Sequence, residues 1–564
     1  MTKTQVGIIL QELNDDIKSG NFSKAVIERL LNLVESLASE NTRLTDLVQQ
    51  LNNEINRLKG EQGKPEFPEN KKKEGDISSE EERQKAEGRK PKGKNEPRNR
   101  KPKHSKIKID RNDICPVDKK TLPKDAVFKG YKDEIVQDII IKTENVKYRR
   151  EVYYSASQQK YYYGQLPVEV FGTGEFGPGI RTLIPVLKSE CNMSEPKIKD
   201  FFENFGVEIS KAYISSLWTD KQEIFHEEKK DIYRAGLESS RYQHIDDTGC
   251  KENGISHYVQ IVCNENYSAY FTTPKKDRLS ILYVLTNFAE RRFIYNQKAL
   301  ELLEQMTISK KLMVVVEKTL EKNKTYDEKN INDLLDVIKP GPQQRARILD
   351  ACAIAAYQQQ TDYPVISCLL SDDAPQFKLL TERQALCWIH DGRHYKKLKP
   401  MVPQFVEKLE SFRGQYWDYY AELYNYKQNP KPAEASRLRL EFDRIFKTTT
   451  GYVQLDDRIS KTWSKKEELL VVLKQPELPL HNNAAELAAR SQARSRDVSL
   501  QTKSLAGTKV KDTFLTITQT AKKLGVRVYD YIYDRVCGKN EQASLAELIQ
   551  QKSKLENSAF PSGP

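Results

Sequence analysis

Cysteine is sparse in this chain, and it is never grouped. Eight occur in 564 residues (Cys115, Cys191, Cys250, Cys263, Cys352, Cys368, Cys387 and Cys537), with no pair at metal-knuckle spacing. That scatter speaks against a disulfide framework and suits reduced thiols in a cytosolic protein. Long apolar runs are missing as well: none approaches the roughly 20 residues needed to span a bilayer. The opening "MTKTQVGIILQELNDD" lacks the charged-then-apolar design of a signal peptide. A soluble intracellular protein with no membrane partner is expected.

What the chain has is length and charge. Its 564 residues suggest several domains, and 38% hydrophobic with 30% charged residues allows globular units beside solvated segments. Much of the +12 net charge is local. From Arg89 to Lys108 there are ten Lys or Arg against one acid, Glu96. Such a run repels itself, stays disordered and attracts polyanions through counterion release.

Leu30, Leu37, Leu44, Leu51 and Leu58 recur every seven residues, with Ile27, Val34, Asn41, Val48 and Ile55 on the complementary seam. Leu at one seam and β-branched residues at the other favour a parallel two-stranded coiled coil, in which Asn41 sets the register. A homodimer or higher oligomer through residues 1–59 is expected, followed by a disordered basic linker over 60–111. Residues 112–170 contain "DEIVQDIIIKTENVKYRREVYYSASQQKYYYGQLP", whose alternating apolar and aromatic residues predict a small β module. In 171–235, "SEPKIKDFFENFG" and "VEISKAYISSLW" predict two short helices around a Gly turn, the second capped by Ser210. Helix, tight turn, helix is a DNA-binding layout, with Lys211, Tyr213 and Ser216 as candidate contacts, although such helix pairs also occur without DNA.

The chemistry-bearing residues come next. "RYQHIDDTGCKENGISHYVQIVCNENYSAYFTT" predicts a strand carrying acids and then a hairpin turning at Asn264–Asn266. "YPVISCLLSDD" and "ALCWIHD" are unbroken apolar runs, as in strands covered on both faces, and the first stops at Asp372 and Asp373. Open sheets place ligands at strand ends. Two acids from neighbouring strands and one from a packed helix would make an all-oxygen site for hard cations such as Mg2+ or Mn2+. Two such ions about 4 Å apart drive in-line phosphoryl displacement.

Taken in order, "HIDDTG", "LLSDDAPQF", "CWIHDGRHY" and "LPLHNNAAELAAR" resemble the insertion-sequence transposases of the IS66 family. "RDVSLQTKSLAGTKVKDTFLTITQTAKKLG" and the upstream order of coiled coil, basic linker, β module and helix-turn-helix extend the resemblance over most of the chain. It implies a multidomain α/β protein with a ribonuclease-H-like catalytic core over 236–288 and 362–535, helical insertions that include 289–361, and a tail over 536–564. It also implies a bacterial, cytoplasmic, nucleoid-associated DNA transposase. Such an enzyme hydrolyses a phosphodiester at the transposon ends, then joins the 3′-hydroxyl to target DNA, with accessory proteins of the same element as possible partners.

Carried over by position, Asp246, Asp372 and Glu486 are the catalytic and metal-binding triad, with two Mg2+ or Mn2+ ions per site. Asp247 and Asp373 make each aspartate ambiguous by one residue, and the first of each pair is taken as the ligand. Asn482 or Asn483 would support Glu486, which shares its helix face with Arg490. Relatives often carry a cysteine-based zinc module before the helix-turn-helix. Here Cys115 stands alone, so zinc is not expected and that module must hold by apolar packing.

In "CWIHDGRHY", Cys387, His390 and His394 could ligate a metal. The preferred reading puts Cys387 and Trp388 in the core, with neutral His390 and cationic Arg393 near the scissile phosphate. Arg494, Arg496, Lys503 and Lys509 suit phosphate contacts, or a solvated face. Two rival readings share parts of this pattern: an inert DNA-binding regulator, and a metal-dependent structure-specific nuclease.

Overall fold

The computed structural model describes residues 23–58, 108–123, 125–167 and 175–559, so the expected linker lies outside the described residues up to 107. Helix α1 spans Lys24–Leu58. A hairpin of β1 (Val152–Ser155) and β2 (Lys160–Tyr163) follows. Four helices come next: α2 (Pro178–Ser189), α3 (Glu195–Asn204), α4 (Lys211–Thr219) and α5 (Glu223–Glu238). Strands β3 (Tyr242–Glu252), β4 (Ile255–Cys263) and β5 (Ser268–Thr273) form an antiparallel meander. Then α6 (Arg278–Leu285), the two-residue pair β6 (Phe293–Ile294) and β7 (Thr325–Tyr326), and helices α7 (Gln297–Gln305), α8 (Lys310–Thr319), α9 (Glu328–Ile338) and α10 (Pro342–Gln359) lead to β8 (Cys368–Ser371) and β9 (Arg383–Leu386). Helices α11 (Trp388–Lys396), α12 (Pro403–Gln428), α13 (Pro432–Phe446), α14 (Val453–Trp463), α15 (Lys466–Leu469), α16 (Asn483–Ser499), α17 (Leu505–Leu524), α18 (Val528–Val536) and α19 (Leu545–Ala559) complete the chain.

The central sheet is mixed, in the order β5-β4-β3-β8-β9, with β8 and β9 parallel to β3. Strand alternation divides its faces. Ile245, Val262 and Phe271 enter the main apolar core, which also takes in α5, α10 and α17. On the other face Val259, Ile261 and Tyr270 pack against Ala488 of α16, and the Tyr270 hydroxyl donates to the Ala488 carbonyl at 3.0 Å. The α7–α10 insertion does not stand apart: Ala299, Leu302 and Ile354 join the main core.

Helices α11–α14 build a second, aromatic core around Trp388, Tyr416, Tyr419, Phe442 and Phe446. Helix α1 is docked onto it. Glu35 is 3% exposed and accepts from the Met401 and Val402 amides at 2.9–3.0 Å, so its carboxylate caps the N-terminus of α12. Asn32 bridges the Gly451 carbonyl and the Val453 amide at 2.8 and 3.0 Å. Gly451 has φ +78°, and a Cβ there would meet the Glu28 carboxylate at 2.6 Å. Leu30 packs beside buried Val26 and Leu33, within the chain, whereas Leu37, Asn41, Leu44 and Leu51 are exposed. Leu58 ends the helix.

Two segments differ from expectation. Among the described residues of 112–170 apolar packing is sparse: Val136, Ile139 and Ile140 are 83–87% exposed, and the regular structure is one helical turn at Lys119–Thr121 and the β1–β2 hairpin. Four-residue strands in a two-stranded ribbon offer too little surface to bury. Conversely, the expected tail carries α19, which packs on α5 with Leu545 and Ile549 fully buried, an i,i+4 apolar pair.

Beneath α19 lies Glu228, which accepts from the Tyr531 hydroxyl. Burial pushes its carboxyl from 4.5 up to about 7, against the pull of Arg535. The folded state therefore holds a proton that the unfolded chain has released, and stability declines as pH rises through that window. Thermal melts should show this decline, and Glu228→Gln should flatten it. Parallel curves for the two proteins between those pH values would contradict the assignment.

Candidate active site

Strand β3 brings Asp246 and β8 delivers Asp372. Tyr242 pairs with Cys368 and His244 with Leu370, an offset of 126 residues that, carried two residues past the last pairing, sets Asp246 beside Asp372. Alternation puts Asp246 on the face of His244, where α16 packs, and Asp247 on the other.

The acids of each adjacent pair have different company. Asp247 accepts from Gln376 Nε2 at 2.7 Å and lies 3.7 Å from Lys276 Nζ. Asp373 is paired with Lys378 at 2.7 Å and with Lys465. Burial opposes its charge, but those two lysines outweigh burial and hold its carboxyl below the usual range. Among the described residues neither Asp246 nor Asp372 has a Lys or Arg partner; their carboxylates accept only the Asp247 amide at 2.8 Å and the Ala374 amide at 3.1 Å. Burial, with repulsion from Asp372, pushes Asp246 up to about 7. Burial likewise raises Asp372. A half-buried carboxylate whose charge is opposed by burial and by a neighbouring acid is relieved by a cation between the two.

Glu486 lies in the first turn of α16. Its Oε1 is 3.8 Å from His390 Nε2 and its Oε2 is 3.7 Å from Arg393 Nη2. His390 links the three acids, because its charge lowers both aspartates while it contacts Glu486. The expectation of a neutral His390 is corrected. Burial disfavours its charge, but Cys387 and Glu486 overcome burial and raise it to about 9, so the imidazole is protonated at neutral pH.

Asn482 precedes α16 yet does not cap it with its side chain. It stitches three elements together: Nδ2 donates to the Ile245 carbonyl at 2.8 Å, Oδ1 meets His244 Nδ1 at 2.8 Å, and its amide donates to Cys387 Sγ at 3.2 Å. With the amide nitrogen committed to Ile245, Oδ1 is the acceptor and His244 Nδ1 carries the proton. Burial lowers His244 to about 3 and keeps it neutral. Sequence reasoning overlooked His244, though its place two residues before Asp246 on a strand was a usable sign. Asn483 is buried, with its amide 3.4 Å from His481 Nδ1.

Cys387 and Trp388 are in the core, 1% and 0% exposed. The Trp388 indole donates to the Leu469 carbonyl at 2.9 Å, anchoring α11 in the aromatic core. Beside it opens a cavity of about 980 Å³ lined by Asp372, His390, Arg393, His394, Lys396, Lys397, Lys399 and Lys465, among others. The lysines were not singled out from sequence.

The remaining candidates are dispersed. Arg490 is half-buried; Arg494, Lys503 and Lys509 are exposed; Arg496 donates to the Gly249 carbonyl at 2.6 Å and so ties α16 to β3. In the helix pair, Gly206 turns at φ +73° and Ser210 caps α4 by accepting from the Tyr213 amide at 3.1 Å. Lys211 and Ser216 are exposed, the latter bonded to Asp220 at 2.5 Å, while the Tyr213 ring packs on Phe176.

Residues 359–510 match the family described as Transposase IS66 family, a span holding Asp372 and Glu486 but not Asp246. Over 326 residues the chain is 32% identical to the uncharacterized protein y4jO of Sinorhizobium fredii (strain NBRC 101917 / NGR234). That alignment takes in 57% of this chain and 100% of the relative.

Proposed function

The chain belongs to the IS66 transposase family, and from that premise we propose that it is a metal-dependent DNA transposase using Asp246, Asp372 and Glu486. The observation carrying this reading is the contrast within the acid pairs: Asp247 and Asp373 have lysine neighbours, whereas among the described residues half-buried Asp246 and Asp372 have no Lys or Arg partner. Their oxygen donors fit hard divalent ions of the Mg2+ or Mn2+ type. A bound pair of such ions supplies Lewis-acid activation of the attacking and leaving oxygens.

The chain's own groups do the rest. The strand offset of β3 and β8 orients the aspartates, and Asn482 ties the start of α16 to β3, setting where Glu486 stands. Protonated His390 and Arg393 favour a phosphate beside the acids. Lys396, Lys397 and Lys399 on the cavity rim suit a polyanionic strand. The sheet order and strand directions support the ribonuclease-H-like reading, with α12–α14 as the helical insert between the second aspartate and the glutamate. The α3–α4 pair suits end recognition.

The purified chain with DNA bearing the element's ends should release a 3′-hydroxyl in Mg2+ and join it to target DNA. Specific binding without cutting in Mg2+ or Mn2+ would instead support an inert regulator, and cutting without strand transfer a structure-specific nuclease.

Dimerisation belongs to the same proposal. Leu37, Leu44 and Leu51 with Val48 and Ile55 leave a 3.5-residue apolar stripe exposed on α1, beyond the part held at the start of α12, and exposed Val34 extends it. A second copy buries that stripe in register. Leu44→Glu with Leu51→Glu should convert the dimer to a monomer in sedimentation analysis without lowering helix content greatly. A wild-type monomer at micromolar concentration would refute it.

A further inference from the structure

The sequence grouped Cys387 with His390 and His394, whereas the fold replaces the third member. Cys387 Sγ, a His390 ring nitrogen and a Glu486 oxygen all lie within 4.8 Å of one another, drawn from the start of α11 and from α16. His394 lines the cavity without joining that group.

Three features make this more than a chance meeting of polar groups. Cys387 is 1% exposed, so its sulfur is sheltered from bulk oxidants. The Asn482 amide already points at that sulfur at 3.2 Å, the kind of donor that supports a sulfur bound to a metal. Cys387 and His390 line the cavity that Asp372 also lines, which offers a side from which water or another oxygen can reach the group. One sulfur, one imidazole and one carboxylate with an open fourth position is a donor set for a borderline-soft tetrahedral ion. Ligands bound to such an ion at 2.0–2.3 Å are roughly 3.3–3.8 Å apart. His390 Nε2 and Glu486 Oε1, at 3.8 Å, are already close to that separation.

We propose that Cys387, His390 and Glu486 form a site for a thiophilic divalent cation of the zinc class, which occupies Glu486 and so excludes it from the hard-ion site. The exclusion rests on the transposase reading; the binding does not. Sulfur and imidazole favour zinc over magnesium strongly, so trace zinc would hold the enzyme silent until it is removed. Binding displaces the His390 proton, and the Cys387 thiol proton leaves to solvent.

Cd2+ and Co2+ titrations of the full chain test it. One equivalent should bind with a sulfur-to-metal charge-transfer absorption. Cys387→Ser should abolish that band. His390→Gln, which leaves the sulfur in place, should keep the band and weaken binding by more than the roughly 100-fold that loss of an outer partner costs. Excess Mg2+ should weaken Cd2+ binding to the wild type and not to Glu486→Gln. A band that persists in Cys387→Ser, or unchanged affinity in His390→Gln, overturns the site. Unchanged Cd2+ affinity in excess Mg2+ overturns the exclusion. Failure of the zinc-stripped protein to cut DNA in Mg2+, with Cd2+ binding intact, would remove the transposase reading and with it the exclusion, and leave the binding site standing.

Discussion

Glu486→Gln should abolish Mg2+-dependent cleavage and strand transfer while DNA binding and melting temperature stay near those of the wild type. The substitution keeps the shape of the side chain and removes its charge at the first turn of α16. Loss of an outer partner of a bound metal costs about 10- to 100-fold in activity, so loss of a direct ligand should exceed that range. Asp246→Asn and Asp372→Asn should match it, whereas Asp247→Asn and Asp373→Asn should leave more activity, because those acids already have lysine neighbours. Quantified nicking of end-bearing DNA reads all five. Cleavage by Glu486→Gln at the wild-type rate removes Glu486 from the chemistry. Equal losses across both members of each pair would remove the argument that tells them apart.

The second large effect is on stability, and it lies just behind the site. Asp391 of α11 is 6% exposed and Arg458 of α14 is 9% exposed, and they are paired. Thr462 donates to Asp391 Oδ2 at 2.7 Å, and Lys465 Nζ stands 3.7 Å from Oδ1. Burial raises the Asp391 carboxyl and Arg458 opposes it. Arg458→Met leaves that carboxylate buried without its main partner, and breaking such a pair costs about 3–5 kcal/mol. Adding Asp391→Asn to Arg458→Met removes the stranded charge and should restore part of the loss. Denaturant unfolding of the single and double variants measures both. A cost below about 1 kcal/mol, the level of an exposed pair, would mean that this pair is not held as tightly as its burial implies. Because α11 also carries His390 and Arg393, Arg458→Met should lower cleavage even at temperatures where the protein stays folded.

By itself the sequence determined those features whose causes are local. The heptads of α1, the turn at Asn264–Asn266 between β4 and β5, the Ser210 cap of α4 and the apolar run ending at Asp372 are all written in spacings of one to seven residues. A helix or strand responds to such spacings whatever surrounds it. The resemblance to IS66 transposases was legible for the same reason, since it rests on short runs in a set order.

Only the tertiary structure decided which partners those elements meet. That Asp246 shares a face with α16 while Asp247 turns toward Gln376 depends on a strand pairing 126 residues distant in the chain. That His390 is protonated against its burial depends on Cys387 and Glu486, and that Asn482 serves β3 rather than its own helix depends on His244 and Ile245. The docking of α1 through Glu35 and the burial of α19 were equally invisible, because each side chain satisfies a group hundreds of residues away. Burial and charge are properties of a neighbourhood in space, and chain order alone does not specify that neighbourhood.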